Sequence, residues 1–345
     1  MESKVGKRNH SMGREVILLG ISDQRELQWL VFVVFSLVYA VTVLGNLTII
    51  TLASLDSQLH TPMYFFLSNL AFLNLCYVSI VVPKMLTNIL TGSKSISYEL
   101  CAAQVCITLF LGSTEYLILM VMAFDLYVAI CNPLRYNTVM DRRVCINLAA
   151  ASWAIGILAT AIPSPFLWPV LCGPNVINHF FCETPALVKL SCADTSSTEK
   201  MMFIGGFFTL MFPLFLVLIS YIGIIRAILK IGSAVGRKKA FSTCSSHMTV
   251  VTIFYGTRMF MYMQPQAQHS PDKDEVVSVF YAVLNPMLNP LIYSLRNREV
   301  KGALGRVLQR YEAFTGTEMG VSCEIRFNCA PYKTLGVRKG QDSSS

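Results

Sequence analysis

Long runs of apolar residues, interrupted by short polar segments, follow one another along most of the chain. A helix that crosses a bilayer needs about 20 mostly apolar residues, and seven runs reach this length, the last being the least apolar. The predicted membrane spans are residues 27–53, 61–85, 100–131, 144–168, 201–229, 240–262 and 276–294. Beyond the last span, apolar residues recur at helical spacing among basic residues, which predicts a short amphipathic helix at about 296–310.

The composition favours a membrane protein over a water-soluble one. Of the 345 residues, 54% are hydrophobic and 14% are charged, whereas about a quarter of the residues are charged in a typical soluble domain. We therefore predict an all-α membrane protein, a seven-transmembrane helix bundle with a short amphipathic eighth helix. The expected organisation is an extracellular tail at 1–26, a receptor domain at 27–310 that includes the eighth helix, and a disordered cytoplasmic tail at 311–345.

Basic residues predict how the bundle is oriented. The loops between spans three and four and between spans five and six, and the segment after span seven, hold more Lys and Arg than the opposite loops. Because such loops stay in the cytoplasm, we expect a multi-pass protein of the cell membrane with an extracellular N-terminus, although the bases of the N-terminal tail argue the other way. A glycosylation sequon at Asn9 also requires an outer tail. The net charge of +8 reflects this inner-face bias, so lipid is an expected partner and nucleic acid is not.

Four cysteines fall on the predicted outer face. Cys101 opens span three, and Cys172, Cys182 and Cys192 lie in the long loop between spans four and five. In an oxidising compartment, four cysteines predict two disulfides, and the sequence alone allows three pairings. The same loop offers His179 beside Cys182 for a soft metal, but we favour the use of Cys182 in a disulfide.

No motif typical of catalysis is found. The chain has no nucleophile elbow, no phosphate-binding loop and no metal-spaced cluster of His and acidic residues on one helix. A transporter typically shows duplicated halves, which the chain lacks. We therefore predict no enzyme, no cofactor and no metal site. Seven spans, an outer N-terminus, a disulfide-linked outer loop and basic inner loops instead favour a ligand-sensing receptor. Ionisable residues inside spans are candidate functional residues, and here they are Glu115, His247 and Arg258.

Four segments are specific enough to indicate a family. They are HTPMYFFLSNLAFLNLCY at 60–77, MAFDLYVAICNPLRY at 122–136, KAFSTCSSH at 239–247 and PMLNPLIYSLRN at 286–297. Together they resemble the signature segments of vertebrate olfactory receptors, which are rhodopsin-like G-protein-coupled receptors. The resemblance covers about residues 19–308 and implies a receptor for small odorants that activates a stimulatory, cAMP-raising heterotrimeric G protein.

The resemblance also implies particular sites. It implies the disulfides Cys101–Cys182 and Cys172–Cys192, and a mostly apolar odorant pocket among the outer halves of spans three, five, six and seven. The matching pocket positions are Thr108, Leu109, Gly112, Ser113, Gly205, Thr209, Tyr255, Arg258, Met259, Tyr262 and Ala282. Arg258 is either an anchor for an acceptor group of the ligand, or a side chain that reaches the outer surface or pairs with Glu183. We favour the second interpretation.

Two residues depart from the family pattern at positions implied to act as a switch. The family usually has Asp-Arg-Tyr where this chain has Asp125, Leu126 and Tyr127, and an Asp where it has Asn74. The usual arginine is implied to pair with the acid at rest and to turn towards tyrosines of spans five and seven on activation. The implied switch residues are Asn74, Glu115, Asp125, Leu126, Tyr127, Tyr221, Asn289, Pro290 and Tyr293.

Leu126 has no hydrogen-bond donor, so it cannot take the part of the arginine. We expect Asp125 to pair with Arg135, Arg142 or water instead. Three interpretations stay open: signalling through other cytoplasmic contacts, weak coupling, and ligand binding without coupling, as by a decoy; a transporter is a further alternative. With Asn74 in place of Asp, a sodium ion would have only Glu115 to neutralise it, and we favour a protonated, hydrogen-bonded Glu115.

Overall fold

The computed structural model describes residues 15–21, 24–162, 175–188, 190–191, 194–263, 271–296 and 298–315. The chain divides into the compact units Met1–Val307 and Leu308–Ser345, and the contacts below belong to the first. The helices of the described part are α1 Arg25–Leu55, α2 Pro62–Thr91, α3 Tyr98–Cys131, α4 Tyr136–Val139, α5 Arg142–Ala161, α6 Thr184–Val188, α7 Ser196–Gly206, α8 Phe212–Lys230, α9 Ala234–Tyr262, α10 Pro271–Val279, α11 Asn285–Arg296 and α12 Arg298–Thr315.

Seven helical segments form the bundle, which confirms the predicted fold class. Wide turns at Phe207–Met211 and Phe280–Leu284 join α7 to α8 and α10 to α11, so that each pair makes one span. The spans are α1, α2, α3, α5, α7–α8, α9 and α10–α11. Each begins and ends within two helical turns of its prediction in the described part, because the length of an apolar run limits the membrane-crossing helix.

Six of these spans are long and apolar enough to cross a membrane, and α9 is the exception. We expected the seventh span to be the least apolar, and that expectation was wrong. Helix α9 falls short because Ser and Thr residues, His247 and Arg258 interrupt its apolar residues. It still packs against α3, α8 and α11, so it belongs to the bundle by its contacts.

Local chemistry sets several helix ends. The Ser97 hydroxyl accepts a hydrogen bond from the Leu100 N–H at 3.2 Å and begins α3, and an Asp141 carboxylate oxygen accepts one from the Val144 N–H at 2.7 Å and begins α5. Gly92 ends α2 with φ at 68°, in the left-handed region that favours glycine. The Ser97 and Asp141 side chains thus satisfy backbone N–H groups that have no partner inside the helix.

Two glycines let neighbouring helices approach the central helix α3. A side chain at Gly156 in α5 would collide with Thr114, and one at Gly223 in α8 would begin 2.5 Å from the Tyr127 ring. A glycine inside a helix costs roughly 1 kcal/mol relative to alanine. We conclude that close packing around α3 outweighs this cost at both positions.

A small sheet caps one end of the bundle. Strand β1, Glu15–Leu18, pairs antiparallel with β2, Ser95–Ser97, and parallel with β3, Val176–Ile177. Val16 and Leu18 are buried against the core of this cap. We call this end of the bundle the sheet end, and the end that carries Asp125 the opposite end.

A disulfide fastens the cap to the bundle. Cys101 and Cys182 are bonded, which confirms the first predicted disulfide. The Gln104 side chain supports the same loop, since its carbonyl oxygen accepts a hydrogen bond from the Cys182 N–H at 2.8 Å. Three other predicted sites, Cys172, Cys192 and Asn9, lie outside the described residues.

Helix α12 is fixed by its first turns at the opposite end. Arg306 donates two hydrogen bonds to one carboxylate oxygen of the buried Asp56, from Nε at 3.0 Å and from Nη2 at 2.5 Å. The Tyr64 hydroxyl donates to Glu299 at 2.9 Å. The helix continues past residue 310, where we expected it to end, and ends at Thr315.

Candidate functional site

The predicted pocket residues fall into different environments. The buried ones are Thr108, Gly112, Tyr255, Arg258 and Ala282. The half-buried ones are Leu109, Ser113, Thr209 and Tyr262, and the exposed ones are Gly205 and Met259. A pocket that uses every predicted position would therefore need its walls to rearrange, whereas the buried positions already include a distinctive cluster around Arg258.

Arg258 lies inside a cage of aromatic rings. Its guanidinium carbon is 4.7 Å from the ring centre of Tyr281, 5.1 Å from Phe254, 5.4 Å from Tyr77 and 6.0 Å from Tyr116. A cation within about 6 Å of an aromatic face is attracted by the ring. We call these five residues the Arg258 cage; they come from α2, α3, α9 and the wide turn of span seven.

The guanidinium is enclosed but incompletely bonded. The Arg258 side chain is 3% exposed, and its Nε and Nη2 atoms have no hydrogen-bond partner among the described residues. Gly112 makes room for it, because a Cβ atom there would lie 2.7 Å from Nη1. Arg258 therefore neither reaches the outer surface nor pairs with Glu183, and the interpretation we favoured from the sequence was wrong.

Glu183 has other partners, which explains why Arg258 does not reach it. The Tyr281 hydroxyl donates to Glu183 and accepts from the Ser278 hydroxyl at 3.2 Å. The His179 ring nitrogen Nε2 lies 3.5 Å from the second Glu183 oxygen. Burial lowers the pKa of His179 to about 4, so the ring is neutral at neutral pH. These contacts join the outer loop to span seven through Tyr281.

Helix α9 is tied to α3 below the cage. The Tyr255 hydroxyl donates to the Tyr116 carbonyl at 3.1 Å. Further along, the His247 Nε2 atom lies 3.2 Å from the Leu119 carbonyl. With Gly112 beside the Arg258 guanidinium, α9 meets α3 at three successive levels.

His247 also links α9 to α8. The Tyr221 hydroxyl lies 2.8 Å from His247 Nδ1 and 3.1 Å from the Cys244 carbonyl, and the Tyr221 and His247 rings stack. The Leu119 contact assigns the ring proton to Nε2, which makes Nδ1 the acceptor for the tyrosine hydroxyl. The sequence marked His247 as an ionisable residue in an apolar span but did not identify these partners.

Asp125 has a partner that the sequence analysis missed. The Tyr136 hydroxyl donates to an Asp125 carboxylate oxygen at 2.8 Å, and the acid is 2% exposed. Arg135 and Arg142 are exposed. The expected pairing of Asp125 with one of these arginines was wrong, because the turn after α3 brings Tyr136 back over the acid. A contact of the acid with water stays a prediction. Leu126, next to it, is buried in the main hydrophobic core.

Asparagines connect three helices in the middle of the bundle. Asn46 donates to the Pro286 carbonyl at 3.1 Å, Asn74 donates to Asn46 at 3.4 Å, and Asn289 donates to Asn74 at 3.3 Å. The Asn74 amide oxygen is thus already engaged. No group of three or more His, Cys, Asp or Glu able to hold a metal occurs in the described part of the chain. The residues fit a hydrogen-bonded network better than a sodium site.

Glu115, Pro290 and Tyr293 adjoin this network, whereas Tyr127 packs against Gly223 of α8. Glu115 is buried, and its Oε1 atom has no hydrogen-bond partner among the described residues; the same holds for the Tyr293 hydroxyl. A Cβ atom at Gly45 would lie 3.1 Å from the Pro290 ring, so α1 and α11 pack tightly there. Buried polar atoms of this kind are typically satisfied by ordered water. The protonation of Glu115 stays a prediction.

Two cavities lie away from the Arg258 cage. One of about 40 Å³ lies beneath β1, and one of about 420 Å³ opens between α8 and α9. The larger cavity is lined by Tyr221, Ile224, Ile225, Ile228, Phe241, Cys244, Ser245, Met248, Thr249, Thr252 and Ile253. No predicted pocket residue lines either of these two cavities, so neither of them is the predicted odorant pocket.

Comparison with known proteins gives one consistent result. A family model described as "Olfactory receptor" matches residues 35–311. The chain is 50% identical over 303 residues to olfactory receptor 2B2 of Homo sapiens, with 88% of this chain and 85% of the relative covered. It is 47% identical over 308 residues to olfactory receptor 5M5 of Mus musculus, covering 89% and 97%. It is 49% identical over 310 residues to olfactory receptor 2B6 of Mus musculus, covering 88% and 97%.

Proposed function

The chain belongs to the olfactory receptor family, and from this premise we propose that it binds odorants towards the sheet end and activates a stimulatory, cAMP-raising G protein at the opposite end. It is an odorant receptor of the G-protein-coupled class, a multi-pass membrane protein and not an enzyme. Odorants and a G protein are the partners that the family implies in general. The stimulatory type of G protein and the efficiency of coupling belong to the proposal.

The same proposal places the receptor in the cell membrane with its N-terminus outside. The disulfide Cys101–Cys182 supports an outer location of the sheet end, because disulfides persist in oxidising compartments. Basic residues support a cytoplasmic location of the opposite end. Arg142 and Arg143 begin α5 there, and Arg306 binds Asp56 there.

Three separate contacts between α9 and α3 carry the functional proposal. Helix α9 has 29 residues, which corresponds to a length of about 43 Å. It meets α3 through Arg258 at the ligand level, through Tyr255 in the middle and through His247 nearer the opposite end. A ligand that shifts the outer part of α9 would therefore move its inner part, where a G protein binds.

Leu126 weakens the last step of this mechanism. The usual arginine would offer hydrogen-bond donors to the G protein and to the tyrosines of spans five and seven, whereas Leu126 packs in the hydrophobic core. Tyr221 is instead bonded to His247. We propose weak agonist-driven coupling as the consequence.

The test is Leu126→Arg, measured as cAMP production against an odorant panel. We expect basal and agonist-driven cAMP to rise several-fold, because the restored guanidinium can reach the G protein. Leu126→Met is the matched control, since it keeps an apolar side chain and adds no donor. Unchanged cAMP in Leu126→Arg at equal surface expression would contradict the coupling argument.

The absence of an arginine at position 126 also favours a second candidate function. The protein would then bind odorants without activating a G protein. Ligand binding to the wild type, together with no cAMP response from wild type or Leu126→Arg, would support this decoy. Accumulation of an odorant inside cells or vesicles without a cAMP change would instead indicate transport. Odorant-driven cAMP production by the wild type excludes both alternatives as the main function.

A further inference from the structure

We propose that the Arg258 cage recognises odorants that carry a carboxylate. This inference rests on the proposed function, because it names the ligand class of the same receptor. Its basis is a buried guanidinium, 3% exposed, whose Nε and Nη2 atoms have no partner among the described residues. Such an arrangement is costly inside a protein, since a buried charge is normally compensated by an opposite charge that also accepts its hydrogen bonds.

The described side chains supply no carboxylate for this purpose. Within the described residues, no acidic oxygen lies within the 4.0 Å of an ion pair with Arg258. Glu183 is engaged by Tyr281 and lies beside His179. Glu115 interacts with Arg258 electrostatically but makes no ion-pair contact with it. The unpartnered donors are therefore left for an external acceptor.

A carboxylate matches these donors in charge and in shape. The planar guanidinium presents its N–H groups as a fork that fits the two oxygens of a carboxylate, which a neutral ester or alcohol cannot reproduce. A cationic odorant would be repelled by Arg258. The rings of Tyr77, Tyr116, Phe254 and Tyr281 supply apolar surface for the hydrocarbon part of the acid.

Entry of a carboxylate also provides a means to move the helices. Because the guanidinium is enclosed, at least one ring of the cage has to swing aside when the acid binds. Tyr281, the nearest ring at 4.7 Å, also donates to Glu183 of the outer loop. The backbone carbonyl of Tyr116 accepts the hydrogen bond from the Tyr255 hydroxyl. Binding at the cage would thus change contacts of α9 with α3 and with span seven.

The experiment measures ligand-induced stabilisation of the purified full chain in lipid nanodiscs, which does not depend on G-protein coupling. The probes are hexanoate, octanoate and phenylacetate, each compared with its methyl ester. We expect at least one acid to raise the unfolding temperature of the wild type more than its ester does. Arg258→Gln should weaken binding of that acid by at least about 30-fold, as expected for loss of one partner of a buried charge pair, and should weaken ester binding far less.

Two further variants separate charge recognition from folding. Arg258→Lys should keep part of the acid affinity, because it retains the charge but loses the fork. Arg226→Gln removes the same charge from an exposed position on α8 and should leave acid binding at the wild-type level. Equal acid binding by wild type and Arg258→Gln would overturn the inference.

The outcomes also distinguish this inference from the proposed function. Stabilisation by the esters alone would overturn carboxylate recognition while leaving odorant binding intact. Absence of stabilisation by every acid in the panel would likewise overturn it. Acid binding that depends on Arg258, without any cAMP response, would support the inference and contradict coupling to a stimulatory G protein.

Discussion

The side chains of His247 and Arg258 are both buried in α9, but they differ in how their polar atoms are satisfied. Both ring nitrogens of His247 have partners, Tyr221 at 2.8 Å and the Leu119 carbonyl at 3.2 Å. Arg258 has aromatic neighbours but leaves Nε and Nη2 without hydrogen-bond partners in the described part of the chain. The first cluster connects three helices, whereas the second encloses a charge that has no ion-pair contact among the described residues, which we call uncompensated.

This difference indicates that the His247 cluster stabilises the fold, whereas the Arg258 cage is suited to bind a ligand. A fully hydrogen-bonded buried network holds its helices in one arrangement, and removing one member leaves the others unsatisfied. An uncompensated buried charge lowers stability and gains the most when a partner arrives from outside. We therefore expect substitutions in the two clusters to act in opposite directions on the ligand-free receptor.

The largest expected effect is that of His247→Ala. It removes two hydrogen bonds and leaves a cavity among α3, α8 and α9, so we expect a loss of about 2–4 kcal/mol of stability. The measurement is the thermal unfolding of the purified receptor without ligand. His60→Ala is the control, because His60 is exposed and its observed contact is with the Ser54 carbonyl near the end of α1. Equal unfolding temperatures for the two variants would show that His247 does not stabilise the fold.

An intermediate loss of stability is expected for Tyr136→Phe. This variant removes the observed side-chain partner of the buried Asp125. Loss of the bond to Asp125 should cost roughly 1.5–3 kcal/mol, as for hydrogen bonds to charged groups. Tyr39→Phe is the control, because the Tyr39 hydroxyl makes an exposed contact with Ser79 at 3.3 Å. Thermal unfolding should separate the two variants, and a loss no greater than that of Tyr39→Phe would mean that Asp125 is satisfied without Tyr136.

The smallest effect on the ligand-free receptor is expected for Arg258→Met. An apolar side chain of similar length removes the uncompensated charge, so the unfolding temperature should equal or exceed that of the wild type. The attraction to the four rings opposes this gain and limits it. A destabilisation as large as that of His247→Ala would show that the cage, like the His247 cluster, holds the bundle together, and the contrast between the two would be lost.

The spans and the first disulfide could be predicted, but the contacts of the site could not. Apolar run length alone located the helices, because the bilayer requires a fixed length of apolar side chains. The orientation of the Arg258 side chain could not be predicted, because it depends on aromatic rings from α2, α3 and span seven that are distant in the sequence. Tyr136 was visible in the same signature segment as Asp125, yet only the turn between α3 and α4 brings its hydroxyl to the acid.

The sequence by itself determined the class of protein, the number of spans, the family and the absence of an arginine at Leu126. These properties follow from local composition and from motifs that are read in order along the chain. Only the tertiary structure decided that Arg258 is enclosed rather than exposed, that His247 joins α3 to α8, and that β1 pairs with two distant segments. The physical reason is that burial and hydrogen-bond satisfaction depend on side chains that distant parts of the sequence bring together.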